Sequence, residues 1–143
     1  MKSITTSIII NAPIAQVWNV FTDFENYGNW NPFVKSVKGN VKKGNQIEVT
    51  MILEGMNDQV FTPQVLDFTA EQSFRWKGKL GMKGIFDGEH YFNFETVEGG
   101  KTKLIHGENF SGILSGGIFM MIGKKTENGF NAMNEALKNE CEK

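Results

Sequence analysis

The chain has 143 residues, of which 40% are hydrophobic and 12% aromatic, including 12 phenylalanines. This length fits one domain with one core, and the apolar content excludes an intrinsically disordered chain. The formal net charge of -1 gives no basic face for nucleic acid, and the single arginine, Arg75, excludes an anion clamp built from several arginines.

The cysteine content and the apolar runs bear on location. Cys141 is the single cysteine, so an internal disulfide and a cysteine-ligated metal site are not expected. A reducing, cytoplasmic compartment is the natural expectation. The apolar run Ile8–Ile10 is too short for a signal peptide. The glycine-rich apolar segment at residues 112–123 is below the length that spans a bilayer, so no membrane span is expected.

The first elements are predicted to be a strand and two short helices. Apolar and polar residues alternate over residues 3–11, which is typical of a strand. Pro13 suits the first position of a helix, and apolar side chains then recur at helical spacing as far as Phe21. Thr22–Glu25 has the spacing of a capping box and predicts a second short helix, which ends at Trp30 before Asn31-Pro32.

The middle of the chain is predicted to be an antiparallel meander, because alternating segments are joined by short turns. The predicted strands cover Val34–Lys38, Ile47–Leu53, residues 59–68, Phe74–Leu80, Phe86–Glu95 and Thr102–Phe110. Gly99-Gly100 is a hairpin signal that brings the last two strands together. Gly107 and Gly112 are predicted to mark bulges or bends that curl the sheet.

The last segment, residues 115–139, is predicted to be a long helix with apolar residues at helical spacing. Gly123 and Gly129 lower its helix propensity. They also allow another backbone or a ligand to approach closely, and the sequence leaves both possibilities open.

Four local motifs, placed along this order of elements, carry a resemblance to a known family. They are Ile10-Asn11-Ala12-Pro13 followed by Val17-Trp18, Trp30-Asn31-Pro32, His90-Tyr91-Phe92, and Glu108-Asn109-Phe110-Ser111-Gly112 before the long helix. Together they resemble the SRPBCC superfamily, also called START-like or major-birch-pollen-allergen-like, and within it small bacterial polyketide cyclase/dehydrase-like proteins. The resemblance covers nearly the whole chain.

The resemblance implies an α+β helix-grip fold for residues 1–143 as one domain. In this fold a curved antiparallel sheet of about seven strands wraps around a long C-terminal helix, with two short helices after the first strand. The superfamily holds lipid carriers, plant hormone receptors, aromatase/cyclases and co-chaperones. It therefore implies an internal cavity but no single reaction.

A helix laid across a curved sheet is expected to enclose a pocket lined by inward side chains of both. Ligand pockets are mostly apolar with a few placed polar groups. The candidate ligand-binding residues are Trp30, Met51, Trp76, Phe86, His90, Phe92, His106, Glu108, Phe110, Phe119, Phe130 and Met133. Trp30 either lies at the entrance or braces the short helices. The alternative is a solid core without a void.

His90, His106 and Glu108 are the polar exceptions at inward positions, and His90 and Glu108 are the candidate catalytic residues. Glu108 is expected opposite His90 or Phe92, depending on the register of the hairpin. A pair of Glu108 and His90 could act as acid and base or orient a ligand oxygen. The alternatives are a hydrogen-bonded core histidine and a structural carboxyl. Two histidines and a carboxylate could also ligate a metal, although no ligand motif is present.

Three functions remain open from the sequence. The first is binding, and possibly transport or sequestration, of a small hydrophobic molecule such as a lipid, an isoprenoid or an aromatic polyketide. The second is a polyketide cyclase or dehydratase, which needs a shaped cavity and one or two acid–base groups. The third is a co-chaperone or assembly-type interaction module with an apolar patch at residues 114–121. No cofactor and no metal are expected, and the chain is expected to be a monomer or weak homodimer.

Overall fold

The structure, a computed structural model, describes residues 2–79, 87–111 and 115–143. Its side chains are described for residues 3–78, 87–111 and 123–143. The predicted site residues Phe86 and Phe119, the predicted bend at Gly112 and the predicted patch at residues 114–121 lie outside these described side chains.

The described residues form three α-helices and eight strands in two sheets. The elements are β1 (Lys2–Ile10), α1 (Ile14–Thr22), α2 (Tyr27–Trp30), β2 (Val34–Lys38), β3 (Glu48–Met51), β4 (Gln59–Phe61), β5 (Gln64–Thr69), β6 (Ser73–Lys79), β7 (Asp87–Val97), β8 (Lys101–Ser111) and α3 (Ser115–Glu142). A five-stranded antiparallel sheet has the order β1-β8-β7-β6-β5, and a three-stranded sheet has the order β2-β3-β4. This arrangement confirms the α+β helix-grip fold.

The strand predicted over residues 59–68 is interrupted at Pro63, which has no N–H to donate to a sheet ladder. β4 therefore ends at Phe61, and β5 begins in the other sheet. The two sheets remain linked beside this break. The N–H of Ile47 donates to the carbonyl of Pro63 at 3.0 Å, and the N–H of Val65 donates to the carbonyl of Asn45 at 2.8 Å.

The capping box predicted at Thr22–Glu25 is not formed. The hydroxyl of Thr22 donates to the carbonyl of Trp18, one turn back in α1, at 2.7 Å. Because the hydroxyl bonds within its own helix, it does not cap the next one. The chain continues through a short 3₁₀ helix, Phe24–Asn26, into α2, which ends at Trp30 as predicted.

The bulge predicted at Gly107 is absent, because the β7–β8 register runs without a shift from Asp87 opposite Ser111 to Val97 opposite Lys101. Gly107 instead makes room for a neighbouring side chain. A Cβ at this position would lie 2.4 Å from the phenolic oxygen of Tyr91.

Aromatic side chains fill the space between α1 and the five-stranded sheet. The ring centroid of Phe21 lies 4.8 Å from that of Phe92 and 4.9 Å from that of Phe94. Trp18 meets Phe94 edge-on at 5.4 Å. The helical spacing of α1 thus brings its apolar face onto the inward positions of β7.

The long helix α3 contacts β1, β8 and α1. Phe130, Met133 and Leu137 are buried on its inner face, as their helical spacing predicts. At Gly129, a Cβ would lie 2.4 Å from Cδ1 of Phe33. The group that approaches this glycine is an aromatic side chain, and not the backbone or the ligand that the sequence left open. No helix among the described residues is long and apolar enough to cross a membrane.

Candidate functional site

The space between the sheet and α3 is solid at one end. The ring of Phe130 stacks on that of His106 at 4.2 Å between centroids, and His90 lies 4.9 Å from the same phenylalanine. His90, His106 and Phe130 are all fully buried. The predicted alternative of a solid core therefore describes this part of the molecule.

A pocket lies at the other end, between the two sheets and α3. Its described walls are formed by Phe33, Met51, Leu53, Phe61, Pro63, Trp76, Gly78, Gly88, Glu108, Phe110 and Thr126. The cavity volume is about 40 Å³, which leaves room for a few water molecules. Its described side chains are apolar except for the Glu108 carboxyl, the Thr126 hydroxyl and the indole N–H of Trp76.

The void coincides with two glycines that face each other across neighbouring strands. Gly78 on β6 pairs with Gly88 on β7. A Cβ at Gly88 would lie 2.1 Å from Oε2 of Glu108, and a Cβ at Gly78 would lie 3.4 Å from Cβ of Pro63. The missing side chain at Gly88 therefore makes room for the Glu108 carboxyl in the pocket wall.

The structure divides the predicted site residues into three groups. Four of them line the pocket: Met51, Trp76, Glu108 and Phe110. Five are buried in the close-packed core beside the pocket instead: His90, Phe92, His106, Phe130 and Met133. Trp30 is partly buried and packs on Tyr27 at 5.2 Å between ring centroids, away from the described pocket wall, in agreement with a bracing role.

Seven wall residues were missed by sequence reasoning: Phe33, Leu53, Phe61, Pro63, Gly78, Gly88 and Thr126. A usable signal existed for Gly88, because a glycine at an inward position of an alternating strand leaves a gap. Leu53 also shares its alternation with Met51. The positions of Phe33 and Phe61 depend on how the two sheets meet, which no local pattern reports.

Four buried polar side chains form a hydrogen-bonded chain behind the pocket wall. The hydroxyl of Thr6 donates its proton to the carbonyl of His106 at 2.8 Å. The same hydroxyl oxygen accepts a hydrogen bond from Nδ2 of Asn134 at 2.9 Å. Oδ1 of Asn134 therefore faces Nδ1 of His106, at 2.8 Å, and this ring nitrogen is the donor.

The tautomer of His90 follows from that of His106. Burial holds the pKa of His106 well below its usual value, and His90 beside it acts in the same direction. An uncharged His106 that carries its proton on Nδ1 has a lone pair on Nε2. Nε2 of His90 lies 2.7 Å from that atom and must donate to it. Nδ1 of His90 is consequently an unprotonated acceptor.

The last residue of the hydrogen-bonded series, His90, faces Glu108. This confirms one of the two registers predicted for the hairpin of β7 and β8. His90 lies directly opposite Glu108 in the β7–β8 ladder, and Nδ1 of His90 lies 3.5 Å from Oε1 of Glu108. This nitrogen is buried, with no hydrogen-bond partner at ordinary distance. The closest polar atom the structure gives for it is thus the carboxyl oxygen.

Burial opposes charge on both members of this contact. It lowers the pKa of His90 to about 3 and raises the pKa of Glu108 to about 8. Near neutral pH both groups are uncharged, so the contact is not an ion pair. Glu108 is then a carboxylic acid whose Oε1 faces the lone pair on Nδ1 of His90, and the residue is part of the pocket wall.

Metal ligation is not supported among the described residues, where no group of three histidine, cysteine or acidic side chains is arranged to hold an ion. The facing nitrogens of His90 and His106 are hydrogen-bonded to each other. Arg75 lies on the outer face, as predicted, where it pairs with Glu89 at 3.0 Å and its guanidinium lies 5.0 Å from the ring centroid of Tyr91.

Comparisons with known proteins agree with this architecture. The family model described as polyketide cyclase/dehydrase and lipid transport matches residues 1–142. No curated protein matches the chain significantly.

Solved structures show the same fold. The Zhui aromatase/cyclase from Streptomyces sp. R1128 superimposes with a TM-score of 0.78 and 16% identity, covering 99% of this chain and 93% of that chain. The protein TTHA0849 from Thermus thermophilus gives 0.75 and 14%, over 98% and 97% of the two chains. Ara h 8.0201 gives 0.64 and 12%, over 96% and 98%. At these identities the likeness shows the fold alone.

Proposed function

The chain belongs to the polyketide cyclase/dehydrase and lipid transport family, and on this premise we propose that it binds a small hydrophobic molecule in the pocket beside Glu108. The ligand class is a lipid, an isoprenoid or an aromatic polyketide. The observation that carries the proposal is an apolar cavity whose described walls contain one carboxyl group. Pockets for small ligands have this composition.

The size and lining of the pocket suit part of an apolar molecule. Entry of a ring displaces the few waters the cavity can hold, and burial of about 100 Å² of apolar ligand surface contributes roughly 2.5 kcal/mol. Met51 has an unbranched, flexible side chain that can adapt to the guest. A cytoplasmic location, expected from the single cysteine, is part of the proposal.

Mass spectrometry of the gently purified protein for retained small molecules tests this function, together with a thermal-shift screen across lipids and aromatic compounds. A ligand that binds the folded state alone raises the melting temperature in proportion to the logarithm of its concentration. We expect Met51→Trp, which fills the pocket, to abolish the shift. Val60→Trp adds the same side chain at a position that is 60% exposed and should retain it.

An empty protein that no apolar compound stabilises would contradict the proposal. Equal stabilisation of the wild type and of Met51→Trp would place the binding elsewhere and contradict it as well. The exposed control separates loss of binding from a general effect of adding an indole ring.

A second candidate, a polyketide cyclase or dehydratase, is favoured by the contact between Glu108 and His90. A carboxylic acid that keeps its proton near neutral pH can protonate a leaving hydroxyl or an enolate oxygen. His90→Ala and Glu108→Gln should each abolish turnover of an aromatic polyketide precursor. Unchanged turnover in both variants would remove these residues from any mechanism.

A further inference from the structure

We infer that the ligand of this pocket carries a hydroxyl group and donates its proton to Oε2 of Glu108, so that alcohols and phenols bind better than the matching ethers or carboxylates. This inference rests on the proposed function and adds the chemical class of the ligand. It follows from the direction of the hydrogen bonds behind the pocket wall.

The direction of these hydrogen bonds is fixed at Thr6, at the end of the hydrogen-bonded series that is farthest from the pocket. Thr6 has one hydroxyl proton, which it gives to the carbonyl of His106. Asn134 must therefore donate to Thr6 and accept from His106. The proton positions on His106 and then on His90 follow in turn, because each ring is uncharged and can donate from one nitrogen only.

The series of hydrogen bonds ends at Nδ1 of His90. This nitrogen carries a lone pair, and His90 is 0% exposed. Oε1 of Glu108 faces this lone pair at 3.5 Å. Two acceptors facing each other in an apolar environment are unfavourable, whereas a proton on Oε1 faces the lone pair and makes the contact attractive, at a separation longer than an ordinary hydrogen bond. The proton of the Glu108 carboxyl therefore belongs on Oε1, and Oε2 is its carbonyl-type acceptor.

Glu108 belongs to the described pocket wall, and Oε2 is its carboxyl oxygen that does not face Nδ1 of His90. It lies over Gly88 in the pocket wall, where an added Cβ would be 2.1 Å away. Across the described part of the chain, no side-chain or backbone donor is hydrogen-bonded to the Glu108 carboxyl. The pocket thus offers an unfilled acceptor, which a hydroxyl group satisfies and an ether oxygen does not.

The pocket wall also disfavours a ligand with a negative charge. No lysine or arginine is present among its described residues, so a bound carboxylate would be buried without a counter-ion. An ether has no proton to donate to Oε2 of Glu108, so the ether oxygen and Oε2 would face each other as two acceptors. Each mismatch is expected to weaken binding by about tenfold or more.

Calorimetric titration with 2-naphthol, 2-methoxynaphthalene and naphthalene-2-carboxylate at about pH 6 tests the inference, because the pKa of Glu108, about 8, keeps it protonated there. We expect the wild type to prefer the naphthol by about tenfold over each of the other two compounds. Glu108→Gln should keep this preference, since the amide N–H can serve His90 while its oxygen faces the pocket. Glu108→Leu should lose it.

Equal affinity of the wild type for the naphthol and its methyl ether would overturn the inference and leave hydrophobic binding intact. A preference for the naphthol that survives in Glu108→Leu would overturn it too. Absence of binding by all three compounds, together with an apolar screen that stabilises nothing, would contradict the proposed function itself.

Discussion

The imidazole rings of His90 and His106 meet through their Nε2 atoms at 2.7 Å, and a single proton lies between them. One ring must donate and the other must accept. Asn134 decides which, because its Oδ1 accepts from Nδ1 of His106. The pair is therefore ordered, and its polarity extends to the carboxyl of Glu108.

The two histidine tautomers are the first prediction. We expect His106 to carry its proton on Nδ1 and His90 to carry its proton on Nε2. Burial lowers the pKa of His90 to about 3, so both assignments should persist across the mildly acidic range. Nitrogen NMR of the imidazole side chains reads each tautomer directly. The opposite tautomers, or a ring that gains a proton near the usual histidine pKa, would contradict the hydrogen-bond direction.

Glu108→Gln is expected to change how stability depends on pH. The folded protein holds the Glu108 proton up to a pKa of about 8, whereas the unfolded chain releases it near the ordinary glutamate pKa of 4.5. Unfolding between these values releases a proton, so a rise in pH favours the unfolded wild type. From about pH 6 to about pH 8, the free energy of unfolding of Glu108→Gln should increase relative to that of the wild type by about 2 kcal/mol.

Urea denaturation of both proteins at the two pH values measures this difference, with Glu95→Gln on the exposed part of β7 as the matched control. The two histidines are present in the wild type and in both variants. A stability difference between the wild type and Glu108→Gln that stays constant over this range would mean that Glu108 is already ionised in the folded protein.

Asn134→Ala should lower the free energy of unfolding by about 2 to 4 kcal/mol, because it leaves the Nδ1 proton of His106 without an acceptor in the core. The side chain of Asn134 is 1% exposed. Asn131, on the exposed side of the same helix, supplies the control, and Asn131→Ala should change stability by less than about 0.5 kcal/mol. Equal costs for the two variants in chemical denaturation would argue against the buried network.

Gly129→Ala tests the contact between α3 and Phe33. Alanine is better than glycine in a helix by about 1 kcal/mol, yet here its Cβ would lie 2.4 Å from the Phe33 ring. We expect a net loss of about 1 to 3 kcal/mol through overpacking. Combination with Phe33→Leu should recover part of the loss in a double-mutant cycle. A more stable Gly129→Ala protein would show that the ring moves away at little cost.

The inward placement of His90, His106 and Glu108 could be predicted because side chains alternate strictly along a strand. The register between Glu108 and His90 could not, because it depends on how the hairpin at Gly99-Gly100 is built. The sequence left two pairings open, and the structure selects the one in which these two residues face each other.

The hydrogen-bond partners of the two histidines could not be predicted from local sequence patterns. Asn134 reaches His106 through the rotation and position of α3 relative to β8, and Thr6 on β1 completes the network from a third element. The predicted capping box failed for a related reason, since the Thr22 hydroxyl found a carbonyl in its own helix.

The position of the pocket was also hidden from the sequence, which predicted only that a pocket lies between the long helix and the sheet, lined by inward side chains of both. Phe130, on the inner face of α3, packs closely against His90 and His106. The paired Gly78 and Gly88 lie in the wall of the void, and this pairing exists only after the strands are in register.

Contacts between a bound apolar ligand and isotope-labelled methyl groups, measured as nuclear Overhauser effects, test the central claim most directly. We expect contacts to the methyl groups of Met51 and Thr126 in the pocket wall, and none to those of Met133 and Leu137 in the solid core. Contacts confined to exposed methyl groups such as those of Val60, with Met51 and Thr126 unaffected, would contradict the account.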